Sequence, residues 1–165
     1  MSARLLLAMW LGLLLAGCGF HLRGQAKLPF ETLYLQAANE YSPLAQELRN
    51  GLQANGVRLT KRVEEASVVL QLVSEHPERK VLTLGSGGRV LEYQLSYHAS
   101  LRLYDQQQND WLPVQEIVIR RDFPWDDTQI LAKQQEEILL NENMRNDMVQ
   151  QIIRRLSFAK RRTRE

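Results

Sequence analysis

The sequence predicts an α+β domain, with two helices packed on an open, mostly antiparallel (mixed) sheet of four to six strands that includes a long hairpin. Three observations predict it. Residues 91–103 alternate apolar and polar side chains without a break, the period-two signature of a strand with one buried and one wet face. The string Gly85-Ser86-Gly87-Gly88 lies just before them and suits a hairpin tip. Two separate stretches, 43–54 and about 128–156, instead repeat apolar residues at helical spacing. A chain of 165 residues is sized for one domain.

The chain opens with an address. Arg4 and the amino terminus precede the apolar run Leu5–Leu15. Eleven residues are too few to span a bilayer, which takes about 20, but they suit the core of a signal peptide. Ala16, Gly17 and Cys18 follow, and Leu15-Ala16-Gly17-Cys18 resembles a bacterial lipobox. The expected division is a lipoprotein signal peptide over 1–17, a lipidated tether over 18–27 and one α/β domain over 28–165. A thioether at Cys18 (S-diacylglycerol, with the new amine N-palmitoylated) accounts for a lone cysteine. One thiol excludes an internal disulfide framework. Two or more acyl chains anchor a protein stably. Residue 19 is Gly, not the Asp that resembles an inner-membrane retention signal, so the expected address is the inner leaflet of the outer membrane.

Within the domain, Thr32–Ala37 alternates weakly and reads as a first strand. Ser42 is a side-chain cap and Pro43 a first-turn proline. Leu44, Leu48 and Leu52 then recur every four residues until Asn55-Gly56 stops the helix. Val57–Leu59 starts a second strand and Ser67–Ser74 forms a third, which Pro77 is expected to break. Val81–Leu84 resumes extended chain and leads through the glycine tip into the alternating strand. After the polar turn Gln106–Asp110, Pro113–Arg121 is the last strand.

The closing helix is expected from about Thr128 to Leu156, with Ile130, Leu131, Ile138, Met148, Val149, Ile152 and Leu156 on one stripe. Asn141 and Arg145 interrupt it, and Leu140 and Met144 lie on a second flank. Either the core face is broad or the helix touches both its sheet and a partner. From Arg154 onward there are six basic residues and one acid, a tail that reads as a solvated helix end complementing the dipole.

Chemistry-bearing patterns are sparse. The glycine string lacks GxGxxG spacing, and no helix or Lys-Ser/Thr follows it. His21, His76 and His98 are scattered. Asp126-Asp127 precedes the last helix, where acids suit the dipole, and Glu136 and Glu137 point about 100° apart. No catalytic constellation, metal site or cofactor is expected. With 21 basic and 19 acidic residues, a broad nucleic-acid-binding face is not expected either.

Directly after the lipobox comes Gly19-Phe20-His21-Leu22-Arg23-Gly24. Cys-Gly-Phe-His-Leu-Arg-Gly resembles the mature start of the lipopolysaccharide-assembly lipoprotein family, LptE. The early capped helix, the glycine tip leading into Glu92-Tyr93, and a closing helix starting near Leu131-Ala132-Lys133 fit the same family. The resemblance implies a non-catalytic lipoprotein of the outer membrane, facing the periplasm and the lumen of a large β-barrel partner, LptD. There it would plug the barrel, support its assembly and bind lipopolysaccharide. The chain ends without the long polar tail that some members carry.

Size bears on that picture. A domain of about 140 residues has a diameter of roughly 37 Å if spherical. A 16-stranded barrel measures about 32 Å between backbones and one of about 26 strands roughly 52 Å, so only a very large barrel could hold it. For the phosphates of lipopolysaccharide, the candidate cations are Arg89 beside the glycine tip, Lys133 in the first turns of the last helix, and Arg120 and Arg121 at the end of the last strand. Each could equally be a solvated surface charge. Trp125 is expected to cap the core. The competing readings are a periplasm-facing scaffold lipoprotein that binds cell wall or a soluble partner, and a lipid-modifying enzyme using His98.

Overall fold

The computed structural model describes residues 27–161. The leader, Cys18, the tether before Lys27 and residues 162–165 lie outside the described residues. The elements are β1 (Thr32–Ala37), α1 (Pro43–Ala54), β2 (Arg58–Leu59), β3 (Val68–Leu84), β4 (Val90–Asp105), β5 (Asp110–Pro124) and α2 (Ile130–Ser157). They form one five-stranded sheet of order β2-β1-β3-β4-β5. β1 pairs in parallel with β2 and β3, while the long β3–β4 and β4–β5 pairs are antiparallel. The sheet is therefore mixed and mostly antiparallel, as expected.

β1 and α1 have the bounds that the sequence predicts. The reason is local. The Ser42 hydroxyl accepts the Ala45 N–H at 3.2 Å, and Pro43 fills the first helical position, where no N–H is needed. At the far end Gly56 takes a φ of +81°, which glycine adopts without strain.

Period two in β4 becomes burial. Leu95, Tyr97, Ala99, Leu101 and Leu103 are each at most 5% exposed. They share one core with Leu33 and Leu35 of β1, Val68, Leu70 and Leu72 of β3, Ile117, Ile119 and Phe123 of β5, and the inner faces of both helices. Both helices thus cover one face of the sheet. The opposite face carries His76, Glu78, His98, Arg102, Glu116 and Arg120. α1 and α2 approach closely at Gly51, where a Cβ would lie 2.8 Å from Val149 Cγ1 and 2.9 Å from Ile153 Cδ1.

Three expectations are corrected. Pro77 does not break β3, which runs unbroken for 17 residues with Pro77 opposite Tyr97. β1 stops pairing at Leu72, so the remainder of β3 is an edge strand, where a proline facing the free side loses no ladder bond. The last strand is longer than Pro113–Arg121, because β5 follows β4 along its whole length. The stripe on α2 is half right. Met148, Val149, Ile152 and Leu156 are buried, but Ile130, Leu131 and Ile138 are 47%, 79% and 58% exposed. Met144, assigned to the second flank, is fully buried. In the first turns of α2 it is Lys133, not the apolar stripe, that lies over the core, at Phe123, so Ile130, Leu131 and Ile138 turn outward.

Candidate functional site

The long hairpin divides the domain into two ends. At the tip end, the β3–β4 connection closes through Gly85–Gly88. Gly87 and Gly88 have φ of +79° and +77°, values that strain any side-chain-bearing residue. The Gly85 N–H donates to the Arg89 carbonyl at 2.8 Å, which closes the tip with Arg89 at its rim. Val81, Leu82, Leu84 and Leu91 are exposed around it.

The start of α2 is tied to this tip. The Trp125 N–H donates to the Leu91 carbonyl at 2.8 Å, so the chain leaving β5 is held against β4. Trp125 stands edge-on to Tyr93 and Phe123 at 5.4 and 5.9 Å between ring centroids, and its indole N–H donates to Asp127 at 2.7 Å. It packs against the core as expected. Asp126 caps the turn before α2 by accepting the Thr128 N–H at 2.9 Å and the Thr128 hydroxyl at 2.8 Å. Those bonds, assisted by the nearby Arg89 charge, hold its carboxyl below the usual range.

The four candidate cations separate. Arg89 and Lys133 belong to the tip end. Lys133 Nζ donates to Glu136 at 2.8 Å and stands 5.4 Å over the Phe123 ring, with its side chain 18% exposed. Arg121 is engaged with Asp147 of α2 at 2.6 Å, and Arg120 points to the other face of the sheet by strand alternation. Sequence reasoning missed Arg79. Its guanidinium pairs with Glu137 at 2.8 Å and lies 4.6 Å over Tyr93 and 6.0 Å from the Trp125 ring. The signal was hidden because Arg79 follows Pro77, where the chain seemed to leave the sheet. Two cations thus cover one aromatic cluster, beside exposed Ile130, Leu131, Ile138 and Leu139. Both cations are also paired with acids of α2, Glu137 and Glu136, so this surface is apolar with charges of both signs at its edge.

The histidines offer less. His76 and His98 stack at 4.8 Å on the helix-free face. His98 Nδ1 contacts Glu116 at 2.9 Å, and its Nε2 lies 3.6 Å from Glu78. A hydrogen bond from Lys80 holds Glu78 below the usual carboxylate range. No serine or cysteine nucleophile joins this pair in the hydrogen bonds described.

The described residues define a two-layer α+β domain, with both helices on one face of a mixed five-stranded sheet and exposed apolar residues at one end. The family model described as lipopolysaccharide-assembly, LptE, matches residues 30–156, and the chain belongs to that family. Among curated relatives, the LPS-assembly lipoprotein LptE of Photorhabdus laumondii is 29% identical over 146 residues, covering 87% of this chain and 79% of that protein. The protein of the same name from Yersinia pestis is 30% identical over 147 residues, covering 87% and 70%. Among solved structures, an uncharacterized lipoprotein B from Nitrosomonas europaea superposes with a TM-score of 0.73 at 35% identity, covering 84% of this chain and 90% of that one. The rare lipoprotein B from Shewanella oneidensis gives 0.69 at 29% identity, covering 77% and 94%. A role in lipopolysaccharide assembly follows from the family.

Proposed function

We propose that this chain is a non-catalytic outer-membrane lipoprotein, acylated at Cys18, that plugs the LptD β-barrel, supports its assembly and binds lipopolysaccharide as it passes to the outer leaflet. The observation that carries the reading is the family match over 30–156. Two structural features support it. β4 has 16 residues, about 50 Å of extended chain, while five strands about 4.8 Å apart make a sheet only about 19 Å across. The domain is therefore longer and thinner than a sphere of its mass, and lengthwise it enters a lumen of roughly 40 Å more easily than the spherical estimate suggests. The second feature is the tip end, where Arg89, Lys133 and Arg79 border exposed leucines and isoleucines. Phosphates of lipid A would meet the cations, and its acyl chains the apolar residues.

Affinity purification from detergent-solubilised outer membranes tests the partner. The expected result is a large β-barrel recovered in about equal amount. Recovery of a soluble partner or cell-wall fragments alone rejects the proposal. Reversing Arg89 and Lys133 to Glu is expected to weaken lipopolysaccharide binding with the fold intact, and unchanged binding would remove both residues from the site.

A further inference from the structure

β1 leaves the sheet early. It pairs with β3 only as far as Ala37 and Leu72, while β3 runs on to Leu84. From Ser74 onward the place beside β3 is open, and among the described residues no strand pairs with that edge. Three hollows lie in a row along it. The first, of about 350 Å³, touches β3 at Leu72, Ser74 and Glu75. The second, of about 290 Å³, touches it at Glu75 and Pro77, and the third, of about 190 Å³, at Pro77, Glu78 and Arg79. Each shares lining residues with the next, so together they form one groove from Leu72 to Arg79, roughly 25 Å of extended chain. Asn39 and Ser42, ahead of α1, and Asn141 and Arg145 of α2 supply the rest of the middle lining.

The middle of this groove is rich in acceptors and short of donors. Tyr97 is 5% exposed, lies opposite Pro77 and lines the middle hollow. Its hydroxyl makes no hydrogen bond among the described residues. Burial first, and then the Glu75 charge, pushes that hydroxyl up to about 12, so it stays neutral and can both donate and accept. The Glu75 carboxylate has no hydrogen bond or ion pair among the described residues, and its Oε2 is buried. Arg145 donates to Glu47 Oε1 at 3.0 Å, and Glu47 Oε2 is buried without a partner. Glu47 thus answers Arg145, and Glu75 is the charge left over. Buried acceptors without donors cost stability, so the groove calls for a donor-rich cation from outside. The acids do not gather as ligands of a metal ion would: among the described residues no group of three His, Cys, Asp or Glu side chains is placed to hold one. A guanidinium, planar and with five N–H donors, matches dispersed acceptors better.

We infer that this groove binds an extended segment of a partner protein, which adds along the open edge of β3 and sets an arginine side chain against Glu75 and Tyr97, beside the Glu47–Arg145 pair. In strand addition, main-chain hydrogen bonds supply affinity and a side-chain pocket supplies specificity. The edge is guarded against chance pairing: Pro77 offers an added strand only its carbonyl, and Glu78, Arg79 and Lys80 charge the stretch beside it. The arginine is what selects the segment that pairs. The groove lies midway along the hairpin, apart from Arg89 at the tip, and its test needs neither barrel nor lipopolysaccharide, so it stands or falls separately from the proposed function.

The test uses the mature chain, residues 18–165, with Cys18→Ser, and the blocked peptide acetyl-Thr-Val-Arg-Val-Thr-amide. Binding is followed by the backbone amide shifts of the protein in nuclear magnetic resonance. The peptide is expected to bind saturably and to move the amides of β3 between Val73 and Arg79. Its citrulline analogue, which keeps the shape without the charge, is expected to bind at least about tenfold more weakly. Acetyl-arginine amide, which has no strand to add, is also expected to lose at least about tenfold. Glu75→Gln is expected to weaken the arginine peptide about tenfold with melting unchanged or raised, because it removes an unpaired carboxylate. Tyr97→Phe is expected to weaken it severalfold, again without loss of melting temperature. No saturable binding, shifts confined to other surfaces, equal binding of the citrulline peptide, or full binding by Glu75→Gln overturns the inference. Equal binding of acetyl-arginine amide overturns it too, since the groove would then hold a free guanidinium compound and not a strand.

Discussion

The two halves of the long hairpin have the same secondary structure and opposite environments. Near the chain ends, Leu70 and Leu72 face Leu103 and Leu101 across the ladder, and all four are buried with Val68 beneath α1 and the last turns of α2. Near the tip, Val81, Leu82, Leu84 and Leu91 are exposed, as are Ile130, Leu131, Ile138 and Leu139 on the first turns of α2. The first half buries most of its apolar residues within the chain, Val73 at 45% exposure being an exception. The second half presents them outward, beside Arg79, Arg89 and Lys133. Exposed apolar surface is where a contact with a partner or lipid is sought, so the proposed function assigns packing to one half of this pair of strands and contact to the other.

That separation can be broken deliberately. Leu101→Ala removes a side chain that is 1% exposed and is expected to cost about 3 kcal/mol, measured by denaturant unfolding; a cost near zero would mean that the packed half is loosely built. Gly51→Leu is next. It forces a side chain into Val149 and Ile153 where even a Cβ has no room, and a loss of about 2 kcal/mol is expected from the melting shift of the purified domain.

Acid should act on the packed half through Asp105. Burial opposes its charge, but hydrogen bonds from the Asn109 backbone, the Asn109 side chain and the Gln107 backbone, with the Arg161 charge, hold its carboxyl below the ordinary aspartate range. A lowered folded pKa stabilises the fold above the unfolded value, and that contribution is lost as pH falls through the folded one. Stability should therefore decline below about pH 4, and Asp105→Asn should flatten that decline in a pH series of melting curves. The smallest effect on stability belongs to the tip half. Leu131→Ser with Leu139→Ser changes stability by less than about 1 kcal/mol in total, yet is expected to lower barrel recovery from membranes severalfold. The opposite pattern, lost stability with full recovery, would erase the distinction between the halves.

Legibility in the sequence follows the same division. β1 and α1 were readable because their signals are local: alternation, Ser42 and Pro43 at the start, Asn55-Gly56 at the end. β4 was readable because thirteen residues alternate without exception. Pro77 misled because whether a proline breaks a strand depends on whether a neighbour needs its N–H, and β1 ends at Leu72. The stripe on α2 could show which residues share a face but not that Lys133 would take the place over the core at Phe123. At the candidate site, Arg89 and Lys133 were chosen for their places beside a tip and a helix start, and both lie at the tip end. Arg120 and Arg121 were adjacent in sequence, but strand alternation sends them to opposite faces. Arg79 was invisible because its value comes from register, which sets Val81 opposite Tyr93 and brings the guanidinium over the ring.

The most direct test of the account is photo-cross-linking in living cells, with a benzoylphenylalanine placed at Leu131, Ile138 or Leu139 in turn. The account predicts a cross-link from at least one of these positions to a single outer-membrane barrel protein, or to lipopolysaccharide. If all three sites yield only soluble or cell-wall adducts, or none, while the tagged protein is present at normal level, the exposed half of the hairpin is not the working surface.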